Sequence, residues 1–358
     1  MGACAPARDA VALRGAAALL HVTTLLRGSV TVLCLGACAA PVPVEEPYQR
    51  AAGEAFGTTW HVTWRGPAVP EVEAAVVATL ARVDERMSSW REDSELSEIR
   101  RSDGPVVVSE ETAEVVQAAL ELASATDGAF DPTVEPLMRL WGFRGGRLEH
   151  APDDAAIEAA RARVGFHRVE VFRHGGVPLV QGDGTALDLS AIAKGHAVDA
   201  IALSLSRLGA ADHLVEVGGE VRVAGRGPSG PWRLAVDAPD PTKGPGEEAA
   251  ATLSLTNISV ASSGDYRTVY EVDGQRVAHT MDPRTGRPVV SSVLGTTVVA
   301  PDCRAADGWA TALMVLPPDV GLHAIEARPD LEAFWVLGTD AGVTVQRSSG
   351  LGDWLARD

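Results

Sequence analysis

The chain has 358 residues, 46% of them hydrophobic and 22% charged. That balance belongs to a folded protein of one large domain or two ordinary ones, and it excludes a disordered chain. The formal net charge of −17 sets the surface against nucleic acid, so an anionic ligand needs local help from a metal or a lysine.

The first 37 residues read as a signal segment and stand outside the fold. Arg8, Arg14 and Arg27 form a basic flank with Asp9 as the one acid, and an apolar run over 30–37 ends at Cys38. The run is too short to cross a bilayer as a helix. Leu35-Gly36-Ala37-Cys38 resembles a bacterial lipobox, whose cysteine becomes the acylated N-terminus. An ordinary signal peptide with an incidental cysteine is the alternative, and translation could also begin near Val22. Residues 38–50, with Pro41, Pro43 and Pro47, then form a tether. The expected location is a bacterial cell membrane, lipid-anchored, facing the periplasm or the exterior. Loss of residues 1–37 removes three arginines and one aspartate, so the net charge deepens from −17 to −19. It also removes Cys4 and Cys34. With Cys38 acylated, Cys303 has no partner for an internal disulfide.

Beyond the tether the pattern is mixed. Residues 56–64 have strand-like content. Val72, Ala75, Val76, Leu80 and Val83 recur at helical spacing and predict a helix over 71–86. Ser109 followed by Glu110 and Glu111 predicts an N-cap, with a helix running to Thr126 and closed by Gly128. A third helix is expected over 153–164. Ser190 is expected to open a helix whose apolar face carries Ala193, Ala197, Ile201, Leu205 and Leu208. Strands are expected over 213–223, 232–237, 251–258, 266–272 and 293–300, then a helix over 304–316 and strands over 332–337 and 343–347. Without regular βαβ alternation, this predicts an α+β domain with a largely antiparallel sheet flanked by helices. The domain is placed at 51–347, with a tail over 348–358.

Several short segments carry candidate chemistry. Gly225-Arg226-Gly227-Pro228-Ser229-Gly230 matches a dinucleotide fingerprint, but Pro228 and the following strand make it a hairpin-like loop, and the Rossmann reading is rejected. Asp307 and Thr311 lie four residues apart on a predicted helix and share one face; both offer oxygen to a hard cation, or else are an exposed acid and a packed threonine. Asp188 and Lys194 flank a strand-to-helix junction, where a lysine in the first turn is either solvated or paired with an anion. His279 stands in a turn with Asp282 and Arg284, either as a structural residue or as a group whose pKa its neighbours shift. Residues 128–134 with 140–143, and Met87-Ser88-Ser89-Trp90, are either core caps or ring-stacking walls.

Together and in this order these segments resemble the ApbE family, the FAD:protein FMN transferases. The likeness covers about residues 53–345. It is carried by Gly57-Thr58-Thr59-Trp60, Met87-Ser88-Ser89-Trp90, Asp93-Ser94-Glu95-Leu96-Ser97, residues 128–134 and residues 188–195. Further along, Val217-Gly218-Gly219-Glu220, Ser262-Ser263-Gly264-Asp265-Tyr266, residues 279–286 and residues 306–312 extend it. The resemblance implies a single two-lobed domain that binds FAD as substrate and uses Mg²⁺ or Mn²⁺. The metal would be held by the side chains of Asp307 and Thr311 and the carbonyl of Ala191. FAD would meet Phe56, Trp90, Ala129, Phe130, Asp131, Asp188, Lys194 and His279. Phe56 stands where the family usually has methionine, and Ala310 where some members carry a second acid. The implied reaction joins FMN to a threonine of an acceptor flavoprotein, expected to be a membrane-associated respiratory redox subunit, and releases AMP. His279 is the first candidate base, with Asp265 and Asp282 behind it. The alternatives are an FAD diphosphatase and a non-catalytic flavin-binding lipoprotein.

Overall fold

Alternation of side chains along eight strands builds the centre of the molecule. A computed structural model describes residues 47–66, 71–238, 249–265, 269–339 and 342–356. Cys38 and the signal segment lie outside the described residues. The strands of the main sheet are β1 (Tyr48–Ala55), β2 (Thr58–Arg65), β3 (Asp212–Val217), β4 (Glu220–Ala224), β5 (Ile258–Gly264), β6 (Val293–Ala300), β7 (Glu332–Thr339) and β8 (Gly342–Arg347). They lie side by side in that order, every neighbouring pair antiparallel. The sheet is therefore a meander, and the helices and smaller sheets are inserted between its strands.

The period-2 side-chain rule fixes which residues face which layer. Val298 and Val299, Trp335 and Phe334, and Ala261 and Val260 are neighbours in sequence that fall into different cores. On one face Trp60, Val62, Val217, Ala261, Val298 and Trp335 pack in the same core as residues of the helices. On the other, Val221, Val223, Val260 and Phe334 join a ribbon formed by Trp232–Asp237 and Ala249–Leu255.

The helices are α1 (Glu71–Met87), α2 (Glu95–Arg101), α3 (Glu110–Ala125), α4 (Glu135–Leu140), α5 (Asp154–Arg161), α6 (Ala193–Arg207), α7 (Cys303–Val315) and α8 (Pro318–Glu326). The first six lie in the long insertion between β2 and β3. The predicted cap holds for α3, where Ser109 accepts a hydrogen bond from the Thr112 amide; α5 is capped in the same way by Asp153, which accepts from the Ala156 amide. A third core under α4 and α5 gathers Leu137, Trp141, Ile157, Tyr270, Val277 and Met281.

Several expectations need correction. The predicted strand over 213–223 is two strands, because Gly218-Gly219 turns β3 into β4. The predicted strand over 251–258 belongs to two others, since Asn257 adopts φ 52° and closes a turn before β5. Ser190 does not cap α6. Its amide and hydroxyl both bond Asp188 Oδ1, at 3.0 and 2.6 Å, and Ile192 stands at the cap without a side-chain bond. The fold also extends beyond the expected limits. β1 begins at Tyr48, and past Arg347 the chain packs back: Leu351 is buried in the ribbon-side core, and the Ala356 amide donates to Thr252 O at 2.9 Å. Residues 225–230 form a loop between β4 and the Trp232 strand, with Gly227 and Gly230 bonded to each other, in keeping with rejection of the dinucleotide fingerprint.

Candidate active site

Two helices that touch bring the principal groups together. α6 carries Lys194 in its first turn, and α7 carries Asp307 and Thr311 one turn apart. Asp199 of α6 accepts hydrogen bonds from the amides of Cys303 and Arg304, at 2.9 and 3.0 Å, and so fastens α6 to the start of α7. Gly195 makes the approach possible: a Cβ there would fall 2.2 Å from the carbonyl oxygen of Cys303. The Gly195 amide in turn donates to Asp307 Oδ2 at 3.0 Å.

Lys194 is the hub. Its Nζ is hydrogen-bonded to Glu220 at the start of β4 and lies 3.9 Å from Asp307 Oδ1. Both carboxylates are almost wholly buried. Burial works against the ammonium, but Asp307 and Glu220 outweigh it and raise the lysine above its ordinary range. Burial likewise pushes Glu220 up to about 8 despite Lys194, and Asp307 upward despite Lys194 and the Gly195 amide. Two acids thus share one cation, and Glu220 Oε2 has no hydrogen-bond partner. A buried cluster with that excess of negative charge is a place for a further cation. Thr311, whose Oγ1 is 3.4 Å from Ser263 Oγ, lines the same cavity as Asp307 and Ala191, whose main chain offers a carbonyl. This set of one carboxylate, one hydroxyl and one carbonyl suits a hard cation that keeps several waters. Among the described residues no cluster of three His, Cys, Asp or Glu side chains has metal-holding geometry.

Two cavities meet here. One, of about 670 Å³, is lined by Phe130, Asp188, Glu220, His279, Asp307 and Thr311, among others. The second, of about 840 Å³, is lined by Phe56, Trp60, Met87, Trp90 and Arg91 on the side of α1. Ser190 and Lys194 line both.

The expected site residues divide accordingly. Ala129, Phe130, Asp131, Asp188, Ala191, Lys194, His279, Asp307 and Thr311 line the first cavity, and Phe56 and Trp90 the second. Asp131 is fully engaged: Oδ1 accepts from the amide and hydroxyl of Thr133, and Oδ2 from the Phe166 amide. His279 Nδ1 lies 3.0 Å from Asp265 Oδ1, as an ion-pair contact too poorly aligned for a hydrogen bond. Thr280 Oγ1 donates to the same oxygen at 2.6 Å. Asp265 therefore stands behind the histidine and lines neither cavity. Asp282 does not face the cavities either. Its Oδ1 and Oδ2 accept hydrogen bonds from the Arg284 guanidinium at 2.9 and 3.0 Å, which ties the turn together.

The sequence reading missed Glu220, Ser190 and Arg144. Glu220 follows the Gly-Gly turn of β3–β4, and the only signal was its presence in a segment already singled out. Arg144 carried no signal of its own.

Comparison with known proteins gives a consistent picture. The profile of the ApbE family matches residues 56–335. A FAD:protein FMN transferase from Salmonella typhimurium is 35% identical over 315 residues, covering 86% of this chain and 89% of that protein. The flavin transferase ApbE from Vibrio cholerae matches with a TM-score of 0.76 at 34% identity, covering 86% of this chain and all of that one. The apo flavinyl transferase ApbE of Pseudomonas stutzeri gives a TM-score of 0.78 at 33% identity, covering 88% and 99%.

Proposed function

This chain belongs to the ApbE family, and we infer from that premise that it transfers the FMN half of FAD to a threonine hydroxyl of a target flavoprotein and releases AMP. The observation that carries the reading is the meeting of two cavities at Lys194 and Ser190. A dinucleotide has two ring-bearing halves and a diphosphate between them. Lys194 stands where one molecule would pass from one cavity to the other.

The chemistry joins the threonine Oγ to the FMN phosphorus and breaks the P–O bond to the bridging oxygen, which leaves with AMP. The threonine proton must go to a base. His279 lines the first cavity, and its imidazole is the group we assign to take that proton. Lys194 offers positive charge to the diphosphate. The metal fits the excess of negative charge around Asp307 and Glu220. Asp307, Thr311 and the Ala191 carbonyl would hold it, and Mg²⁺ or Mn²⁺ in that place supplies charge neutralisation at the diphosphate. Phe56 and Trp90 offer ring surfaces in the second cavity.

The acceptor and the location follow from Cys38. A lipid-anchored enzyme works on proteins at the same membrane surface, and respiratory redox subunits facing the periplasm or exterior are the acceptors we infer.

The test is incubation with FAD, Mg²⁺ and a candidate acceptor, followed by denaturation and mass spectrometry. Covalent FMN on a threonine with stoichiometric AMP is expected. AMP and free FMN without adduct would make the protein a diphosphatase, and intact bound FAD with no AMP would make it a flavin-binding protein.

A further inference from the structure

Arg144 is a buried cation that the transfer chemistry does not use. Its side chain is 8% exposed. One terminal nitrogen donates to Asp188 Oδ2 at 2.6 Å, and the guanidinium carbon lies 4.4 Å from the ring centroid of Trp90. Nε makes no hydrogen bond. Burying a guanidinium is costly unless it is paired, and Asp188 is the pair.

The loop around Arg144 is built to hold it there. Gly142 adopts φ 75°, and a Cβ on it would fall 2.5 Å from the Gly146 carbonyl oxygen. The preceding Trp141 donates from its indole to Gly286 O at 2.9 Å, and its own carbonyl accepts from the Tyr270 hydroxyl. The segment is pinned to the third core before it turns inward.

The two partners of Arg144 belong to different cavities. Trp90 is 70% exposed and lines the cavity beside α1. Asp188 is 5% exposed and lines the other. Asp188 Oδ1 accepts from Ser190, which lines both. A continuous series of contacts, Trp90 to Arg144 to Asp188 to Ser190, therefore runs from one cavity to the other. With the guanidinium against one face of the indole, a ligand ring can stack only on the opposite face. Cation–π attraction keeps that face presented.

We propose that Arg144 is a positioning residue that braces Trp90 and Asp188 as one wall between the two cavities, and so sets how tightly the dinucleotide is held rather than how fast it is split. The proposal rests on the flavin reading. Without the guanidinium, Trp90 loses its backing and Asp188 is left buried without a counterion.

The test uses the full chain with FAD and Mg²⁺, measuring FAD affinity and steady-state AMP release. Arg144→Met is expected to raise KM for FAD about tenfold, the loss of one stacking and ordering interaction, with kcat within about threefold of the parent. Arg144→Lys restores the charge beside Asp188 but not the flat stack, so its KM should stay raised. In a Trp90→Leu background, Arg144→Met should add little further loss of affinity. A fall in kcat at unchanged KM, or full additivity with Trp90→Leu, would overturn the proposal. If Arg144→Met fails to fold, Arg144→Lys decides, and a parental KM in it overturns the proposal. An unmodified chain that neither binds FAD nor releases AMP would instead strike the flavin reading itself.

Discussion

Asp307 has two claims on its carboxylate. Oδ2 accepts the Gly195 amide, and Oδ1 lies near Lys194, while a third charge is wanted from outside. Asp307→Asn removes one of the two buried acids and leaves Lys194 balanced by Glu220. The protein should therefore stay folded, with a melting temperature close to the parent's. Metal-dependent AMP release should fall by about 10²-fold or more, the scale of losing one electrostatic stabiliser of the transition state; unchanged release would remove Asp307 from the metal. His279→Ala should keep FAD affinity, read by flavin fluorescence, and lose transfer by about 10²–10⁴-fold. Equal loss of binding would make the histidine a ligand contact. Spacing put Asp307 and Thr311 on one helical face but left an exposed acid and a packed threonine as another account of them; only the burial of Asp307 in the structure removes the first half of that account. Glu220 was not legible, since its pairing with Lys194 depends on where a strand start meets a helix start. Adjacency of Asp282 to His279 in the chain did not foretell that its carboxylate pairs with Arg284.

At the scale of elements, helices with a long apolar stripe were readable. α1, α3 and α7 lie within a residue or so of their expected limits. α2, α4 and α8 have six to nine residues, too few for a period of 3.6 to register. Gly308, odd inside a helix by propensity, has a packing reason: a Cβ there would meet Leu122 of α3 at 2.4 Å. Three helices are also tied by one acid. Glu111 of α3 accepts from Arg82 and Arg86 of α1 and meets His196 of α6 at 2.9 Å. The His196 contact first, then Arg82, outweigh its partial burial and hold the carboxyl well below its ordinary 4.5. A depressed acid contributes stability above its unfolded value that is lost as pH falls below it. Urea midpoints of the parent should thus drop as pH is lowered from about 5 to about 3. Glu111→Gln should be less stable at neutral pH, with a shallower drop over the acid range. Parallel curves for the two proteins would assign the acid sensitivity elsewhere.

For the whole molecule, the antiparallel meander was legible as a class, since strands without intervening helices at regular intervals exclude a doubly wound sheet. Its limits were not, because the last segment has too few apolar residues to declare itself. Leu351 is 1% exposed in the ribbon-side core, and Leu355 bridges to Leu253. Ending the chain after Arg347 should cost at least about 1.5–3 kcal/mol from Leu351 alone, read as a lower urea midpoint, with a cooperative transition retained. A midpoint equal to that of the full chain would return the segment to the status of a tail. The shared boundary of the two cavities has a kinetic corollary. Chambers that share only Ser190 and Lys194 among the described residues can be filled separately. FMN and AMP should each compete with FAD, yet not exclude one another: with both present, inhibition lines plotted for one product at several levels of the other should intersect rather than run parallel.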